Sequence, residues 1–329
     1  MEKTPIHFDL FGDSISNKKP ISRDILSQQL FNNLNSISIH GLAQLLTNEF
    51  NEIIAYVDLS HGEKTCQKTS LLFNPHRLST KTKNSKISIY EAMKNESFTS
   101  GLARAVLFKK GHVHELLYQV LQLGINGVQY VNEFPPHVAR DICKEHGVLE
   151  TDKVLDPCGG WGGRMLGVSV ACNSYECFEP CSVTAEGLRK LADFIVSMNT
   201  NFKAIVSETP FEDAQLKHDY YDFALTSPPY YNTEIYSDEN TNSLNRYKTF
   251  EQWCNGFYLP LIKKTMDAMK PKKPFILNIG SRTYPLNRVL IHNFKNAYQI
   301  EKRKSYLSGR GGLGRTAEKE GEAFYVITK

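Results

Sequence analysis

KVLDPCGGWGGRMLGVSVA, residues 153–171, changes character twice. Val154 and Leu155 are apolar, as a buried strand requires. Gly159, Gly160, Gly162 and Gly163 follow almost at once, and from Met165 the chain is apolar again, in a helical pattern. A strand, a glycine turn and a helix make the first unit of an open sheet that binds ligands beyond the carboxyl ends of its strands. The glycines let the backbone come close to a ligand, and the helix start adds unpaired N–H groups.

The alternation continues downstream. NSYECFEP (173–180) reads as a second strand ending in an acid, and CSVTAEGLRKLADFIVSMN (181–199) as an amphipathic helix. NFKAIVSETPFED (201–213) is a third strand and YYDFALT (220–226) a fourth. FEQWCNGFYLPLIKKTMDAMK (250–270) is a long helix and KPFILNIG (273–280) a fifth strand. AYQIEKRKSY (297–306) and EAFYVITK (322–329) are late strands around a glycine-rich loop. Such a pattern predicts a mostly parallel α/β sheet covered on both faces, with a late antiparallel hairpin.

Upstream the pattern is less regular. PISRDILSQQLFNNL (20–34) and HGLAQLLTNEFNEI (40–53) have helical spacing, and ISRD supplies a cap for the first. AYVDLS (55–60) reads as a strand, residues 61–86 as a polar loop, and GHVHELLYQVLQLG (111–124) as a helix. His112 and His114 lie two apart, which puts them on different helix faces, so they are assigned no metal. FPPHVARDICKEHG (134–147) reads as a loop feeding a helix that Gly147 stops. The expected division is an accessory or target-recognition region over 1–130, mixed or helical, and a catalytic domain over 131–329.

Composition narrows the class. The chain has 329 residues, 41% hydrophobic and 22% charged, enough to bury a sizeable core. No apolar run approaches a membrane span, and MEKTPIHFDLFGD lacks the apolar core of a secretory signal, so no membrane partner and a cytoplasmic location are expected. The seven cysteines are odd in number, which argues against a disulfide framework. Cys172, Cys177 and Cys181 have no evident fourth ligand nearby, and no metal is expected. The net charge is +4, but thirteen basic residues against two acidic ones lie between Lys263 and Arg315. That stretch is a candidate surface for a phosphate backbone.

The glycine turn constrains its ligand. The Gly-Lys-Ser/Thr ending of a phosphate loop is absent, and Asp156 and Pro157 stand where a dinucleotide fingerprint would begin. An acid there repels a pyrophosphate and suits a cationic amino group. Replacing Asp156 by alanine is then expected to weaken ligand binding and spare the fold. Glu179, at the end of the second strand, is placed to accept from ribose hydroxyls, and Glu208 or Asp213 to line a base. A ligand with a ribose, a base and a cationic amino-acid tail fits these positions, and S-adenosyl-L-methionine is such a ligand. After the fourth strand comes LTSPPYYN (225–232). Its prolines cannot donate strand hydrogen bonds, so the chain turns a rigid polar-aromatic corner there.

VLDPCGGWGGR and LTSPPYY together resemble the S-adenosylmethionine-dependent DNA amino-methyltransferases, of the cytosine-N4 or adenine-N6 type. The resemblance covers roughly residues 130–329. It implies a Rossmann-like class I methyltransferase fold. It also implies cofactor contacts from Asp156, Pro157, Cys158, Gly160 and Gly162, with Cys158 where the family usually has Phe and Trp161 where a small residue is common. FPPHVARDI resembles the segment that packs on the methionine part of the cofactor, with Phe134 as the contact. The resemblance implies that Ser227 and the Pro228 carbonyl accept from a substrate amine, that Pro229 supports them, and that Tyr230 stacks on a flipped base. S-adenosyl-L-homocysteine would be the product and DNA the partner. Serine in the first position points to the 4-amino group of cytosine. Adenine N6, an RNA or protein amine, and an inactive scaffold that binds nucleic acid stay open. About 65 residues separate Gly162 from Ser227, too few for a large inserted reading domain. Target contacts are therefore expected from residues 1–130 or from the basic stretch, with Arg282, Arg310 and Arg315 as candidates.

Overall fold

The computed structural model describes residues 22–47, 49–83, 85, 87–109, 121, 127–280, 283–303 and 322–329. They form two compact units. One takes the chain up to Glu49 together with Pro75–Asn132, and the other takes Phe50–Asn74 with Glu133–Lys329.

Helices α1 (Arg23–Asn35) and α2 (Ile39–Leu46) belong to the smaller unit, α3 (Glu49–Ser60) to the larger, and α4 (Glu96–Lys109) again to the smaller. Leu26, Leu30 and Leu34 recur every four residues along α1 and are fully buried. This apolar stripe packs the helix against α4, with Arg23 reaching Ser100 at 3.0 Å. Ser22 caps α1 by accepting from the Ile25 amide, within the expected ISRD. The helix expected over 40–53 breaks at Thr47. Its backbone is extended there, and its hydroxyl bonds back to the Ala43 carbonyl at 2.8 Å. The expected strand over 55–60 is instead the end of α3. Glu52, Tyr56 and Leu59 are buried along it at helical spacing, a period that outweighs the local Ile-Ile-Ala-Tyr-Val run. The expected loop over 61–86 contains a short helix, Thr69–Phe73, and a 3-10 turn, Pro75–Ser79. The helix expected over 111–124 lies outside the described residues, apart from Leu121.

The larger unit is built on a seven-stranded sheet. Its strands are β1 (Val154–Asp156), β2 (Ser174–Phe178), β3 (Lys203–Ser207), β4 (Phe223–Thr226), β5 (Phe275–Gly280), β6 (Gln299–Arg303) and β7 (Glu322–Thr328). The spatial order is β3-β2-β1-β4-β5-β7-β6. Strands β1 to β5 are parallel, and β7 runs antiparallel between β5 and β6. This is a Rossmann-like class I methyltransferase fold with the expected antiparallel hairpin at its end. The order reverses between β1 and β4, and the crevice at such a switch point is where open sheets bind ligands.

Residue alternation explains the layers. Leu155, Ala224, Phe275, Leu277 and Ile279 point to one face, with Trp253, Tyr258 and Leu261. Val154, Phe223, Leu225, Ile276 and Phe324 point to the other, with Val138, Met165 and Leu188. The central strands are buried throughout, whereas the edge strand β3 is half-buried, β6 is largely exposed, and both carry lysines. Helices α5 (Pro136–Glu145), α6 (Gly163–Ser169) and α7 (Ser182–Met198) cover the second face. Gly147 has φ +64, the left-handed stop expected after α5. The long helix expected over 250–270 is helical from Phe250 to Ala268, with a π segment, Cys254–Tyr258, before α8 (Leu259–Ala268).

Residues 50–74 pack into this unit. The Tyr56 hydroxyl lies 2.9 Å from Ser169 Oγ at the end of α6. Asn74 is fully buried and donates to the Trp161 carbonyl at 3.1 Å. A Cβ on Gly187 of α7 would come within 2.1 Å of Asn74 Oδ1, so only glycine allows this approach.

Candidate functional site

Asp156 ends β1 and has no exposed surface. Its Oδ2 accepts from Arg164 Nε at 2.7 Å and from the Tyr175 hydroxyl at 2.6 Å. Its Oδ1 accepts from the Thr226 hydroxyl at 2.7 Å and the Cys158 amide at 3.1 Å. Four donors, one of them a cation, occupy both oxygens. The carboxylate expected to face a cationic ligand is thus spent inside the protein, and it ties the end of β1 to β2, to β4 and to α6. Arg164 also donates to the Cys158 carbonyl and lies 5.4 Å from the Phe134 ring centre. Phe134 meets Phe324 edge-on at 6.0 Å.

The glycine turn itself is tightly packed. Gly162 has φ +100, and a Cβ there would lie 2.3 Å from a Leu191 methyl. A Cβ on Gly163 would lie 2.1 Å from the Phe134 carbonyl oxygen. Gly160 donates its amide to Glu179 Oε2 at 3.2 Å, and Cys181 donates to Oε1 at 2.9 Å. Glu179 therefore sits at the mouth of the turn, as expected from its place after β2. Burial pushes its carboxyl up to about 7, although both amide bonds pull the other way. Each of its oxygens keeps a further lone pair for a ligand hydroxyl.

Glu208 is elsewhere. It is exposed and paired with Arg189 of α7 at 3.0 Å. Asp213, the other candidate there, pairs with Arg246 at 2.8 Å, as Glu212 does at 2.9 Å. The segment between β4 and α8 crosses the carboxyl ends of β1 to β3. Tyr236 lies 5.9 Å from Trp161, Glu239 accepts from the Ser182 hydroxyl at 2.8 Å, Thr241 donates to the Pro180 carbonyl, and Arg246 holds the acids after β3.

The second half of the site follows β4. Thr226, which holds Asp156, directly precedes Ser227, so the two expected motifs meet through one hydrogen bond. Pro228 is buried, while Ser227, Pro229 and Tyr230 are half-buried. The hydroxyls of Ser227 and Tyr230 each donate to Asn278 Oδ1 at 3.1 Å and lie 3.3 Å apart. Tyr231 adopts φ +55, an uncommon value for a tyrosine, and turns its ring away into a cluster with Phe250, Trp253 and Tyr284. The two adjacent tyrosines thus part company, Tyr230 staying at the corner and Tyr231 packing behind it.

Arg282, Arg310 and Arg315 lie outside the described residues. The seven cysteines are unpaired, and Cys172 donates its thiol to the Asp152 carbonyl at 2.8 Å. Among the described residues no helix is long and apolar enough to cross a membrane. Arg164, Tyr175 and Asn278 were not foreseen. Only Asn278 carried a sequence signal, as the lone polar residue inside an otherwise apolar strand.

No protein-family model and no curated protein sequence matches the chain. Among solved structures, similarity is found to an rRNA methylase from Streptococcus thermophilus, with 11% identity over 60% of this chain and 97% of that one and a TM-score of 0.39. A tRNA (m1A58) methyltransferase from Aquifex aeolicus shows 13% identity over 60% and 71% of the two chains, with a TM-score of 0.41. A SAM-dependent O-methyltransferase from Thermotoga maritima shows 11% identity over 60% and 67%, with a TM-score of 0.42. The fold assignment rests on strand order and direction.

Proposed function

We propose that this protein is an S-adenosyl-L-methionine-dependent methyltransferase acting on the exocyclic amine of a nucleic-acid base, with the 4-amino group of cytosine in DNA as the first reading. The observation that carries the proposal is the hydrogen bond from Thr226 to Asp156. It holds the Ser-Pro-Pro-Tyr corner against the glycine turn at the switch point of the sheet. The residues fit the cofactor. Asp156 shapes the turn from within, Pro157, Cys158, Gly160 and Gly162 form its wall, Phe134 borders it, and Glu179 offers acceptor positions to a ribose. Glu208 has no part in this arrangement. When bound, the cofactor supplies an electrophilic methyl group on a sulfonium.

The chain's own groups prepare the nucleophile. An aryl amine has its lone pair delocalised into the ring. Acceptors at Ser227 Oγ and the Pro228 carbonyl draw on its N–H groups and orient that lone pair outward. The prolines hold these acceptors fixed, so little reorganisation is needed. The half-buried Tyr230 ring is the platform for a flipped base. Arg282, Arg310 and Arg315 remain assigned to backbone phosphates on the strength of the basic stretch alone.

The test is incubation of DNA, and separately RNA, with isotopically labelled cofactor, followed by mass analysis of the nucleosides. Labelled N4-methylcytosine from DNA is expected. N6-methyladenine would move the assignment to the other base, and label in RNA alone would overturn the DNA substrate. No transfer and no calorimetric cofactor binding would leave only a nucleic-acid-binding scaffold. Tyr230→Ala should keep cofactor affinity and lose turnover, since base–aromatic stacking contributes about 1–3 kcal/mol.

A further inference from the structure

Asn278 is the polar interruption in the apolar strand β5, and only 1% of it is exposed. Its Oδ1 receives the hydroxyl protons of both Ser227 and Tyr230. Its Nδ2 has no hydrogen-bond acceptor among the described residues. A buried amide with its oxygen filled by two donors and its nitrogen unmatched is unusual, because an unmatched buried donor is costly. The consequence falls on the serine. A hydroxyl has one proton and two lone pairs. Once the Ser227 proton is committed to Asn278, the oxygen has only lone pairs to offer a ligand.

We propose that Asn278 is a positioning residue that fixes Ser227 as a hydrogen-bond acceptor, so that the corner selects a base edge presenting N–H donors and rejects one presenting a carbonyl oxygen. This rests on the amine-methyltransferase reading and deepens it by naming the chemistry that is recognised. Cytosine and adenine carry an exocyclic amine where uracil and hypoxanthine carry an oxygen. A carbonyl at this place would set acceptor against acceptor, with no hydroxyl proton left to bridge them. The opposite orientation of the amide would donate to both hydroxyls, release their protons toward the ligand and reverse the preference. The two arrangements therefore make opposite predictions.

Three variants separate them: Asn278→Leu, which keeps the volume, Asn278→Ala, and Asn278→Asp, which offers acceptors only. Turnover is measured with DNA and labelled cofactor, and cofactor affinity by calorimetry serves as the check on folding. Loss of about 100-fold in kcat is expected in the leucine and alanine variants, with cofactor affinity unchanged. Asn278→Asp should restore most of that loss. In competition against labelled DNA, single-stranded oligo-dC or oligo-dA should outcompete oligo-dU with the wild-type protein, and Asn278→Leu should narrow the difference to what the Pro228 carbonyl alone supplies. An aspartate variant as inactive as the alanine one, with cofactor binding intact, overturns the proposal. So does full turnover in the leucine variant, or equal competition by the three oligonucleotides with wild type. A wild-type protein that transfers no methyl to any nucleic acid brings down the underlying reading and this inference with it.

Discussion

The glycine turn after β1 and the Ser-Pro-Pro-Tyr corner after β4 leave neighbouring strands at the same edge of the sheet, yet they are built in opposite ways. In the turn the buried carboxylate is fully matched. Asp156 has four donors, and Arg164 answers it from the first turn of α6. In the corner two hydroxyls fill one amide oxygen, and the other end of that amide has no acceptor among the described residues. A saturated region holds its shape without a ligand. An unsaturated one has hydrogen-bonding capacity left over for a ligand. On the proposed reading the turn offers the cofactor a preformed wall, and the corner is where a substrate would be engaged.

The most severe challenge to this contrast is Asp156→Ala. It leaves the Arg164 guanidinium buried without its counter-ion, which costs about 3–5 kcal/mol. Denaturant unfolding should show that loss directly. The sequence alone predicts weaker cofactor binding with an intact fold, and an unchanged unfolding midpoint would favour that outcome. Gly162→Ala comes next. A methyl driven into Leu191, on a residue with φ +100, should cost about 3 kcal/mol, read as a fall in Tm.

Glu179 gives a smaller, pH-dependent effect. Its carboxyl stands at about 7 in the folded protein, above the ordinary 4.5, so the folded state holds the proton more tightly than the unfolded chain. The stabilisation from this group is fully present below about 4.5 and is lost as pH rises through about 7. Glu179→Gln removes the titration, so its unfolding free energy should fall less than that of wild type across this window. Parallel curves for the two proteins would remove Glu179 from the account. The smallest effect is expected from Glu208→Ala. Its pair with Arg189 is exposed, and its removal should shift stability by no more than about 0.5 kcal/mol and leave cofactor affinity unchanged.

These contrasts mark what a linear reading could reach. Strand and helix alternation beyond residue 150 was legible because the parallel strands are short segments ended by turns, and all five enter the sheet. The two motifs were legible because glycine and proline impose backbone shapes wherever they stand. What stayed hidden depends on which face a side chain takes. Asp156 reads as an acid beside glycines, but its burial depends on Tyr175 and Thr226, which reach it only once β2 and β4 flank β1. Glu179 and Glu208 both follow strands. One is drawn in by two backbone amides, and the other is drawn out by an arginine on α7. Asn278 was visible as an oddity in KPFILNIG, but its meaning required the corner beside it.

The docking of residues 50–74 bears on how the protein can be cut. A fragment begun at residue 131, where the sequence pattern changes, would contain every strand of the sheet. It would still discard Asn74, the donor to the Trp161 carbonyl, and Tyr56, which meets Ser169. The space beside Gly187 that Asn74 fills would be left open next to the glycine turn. The larger unit is therefore discontinuous in sequence, 50–74 with 133–329, and no single stretch of the chain contains it alone.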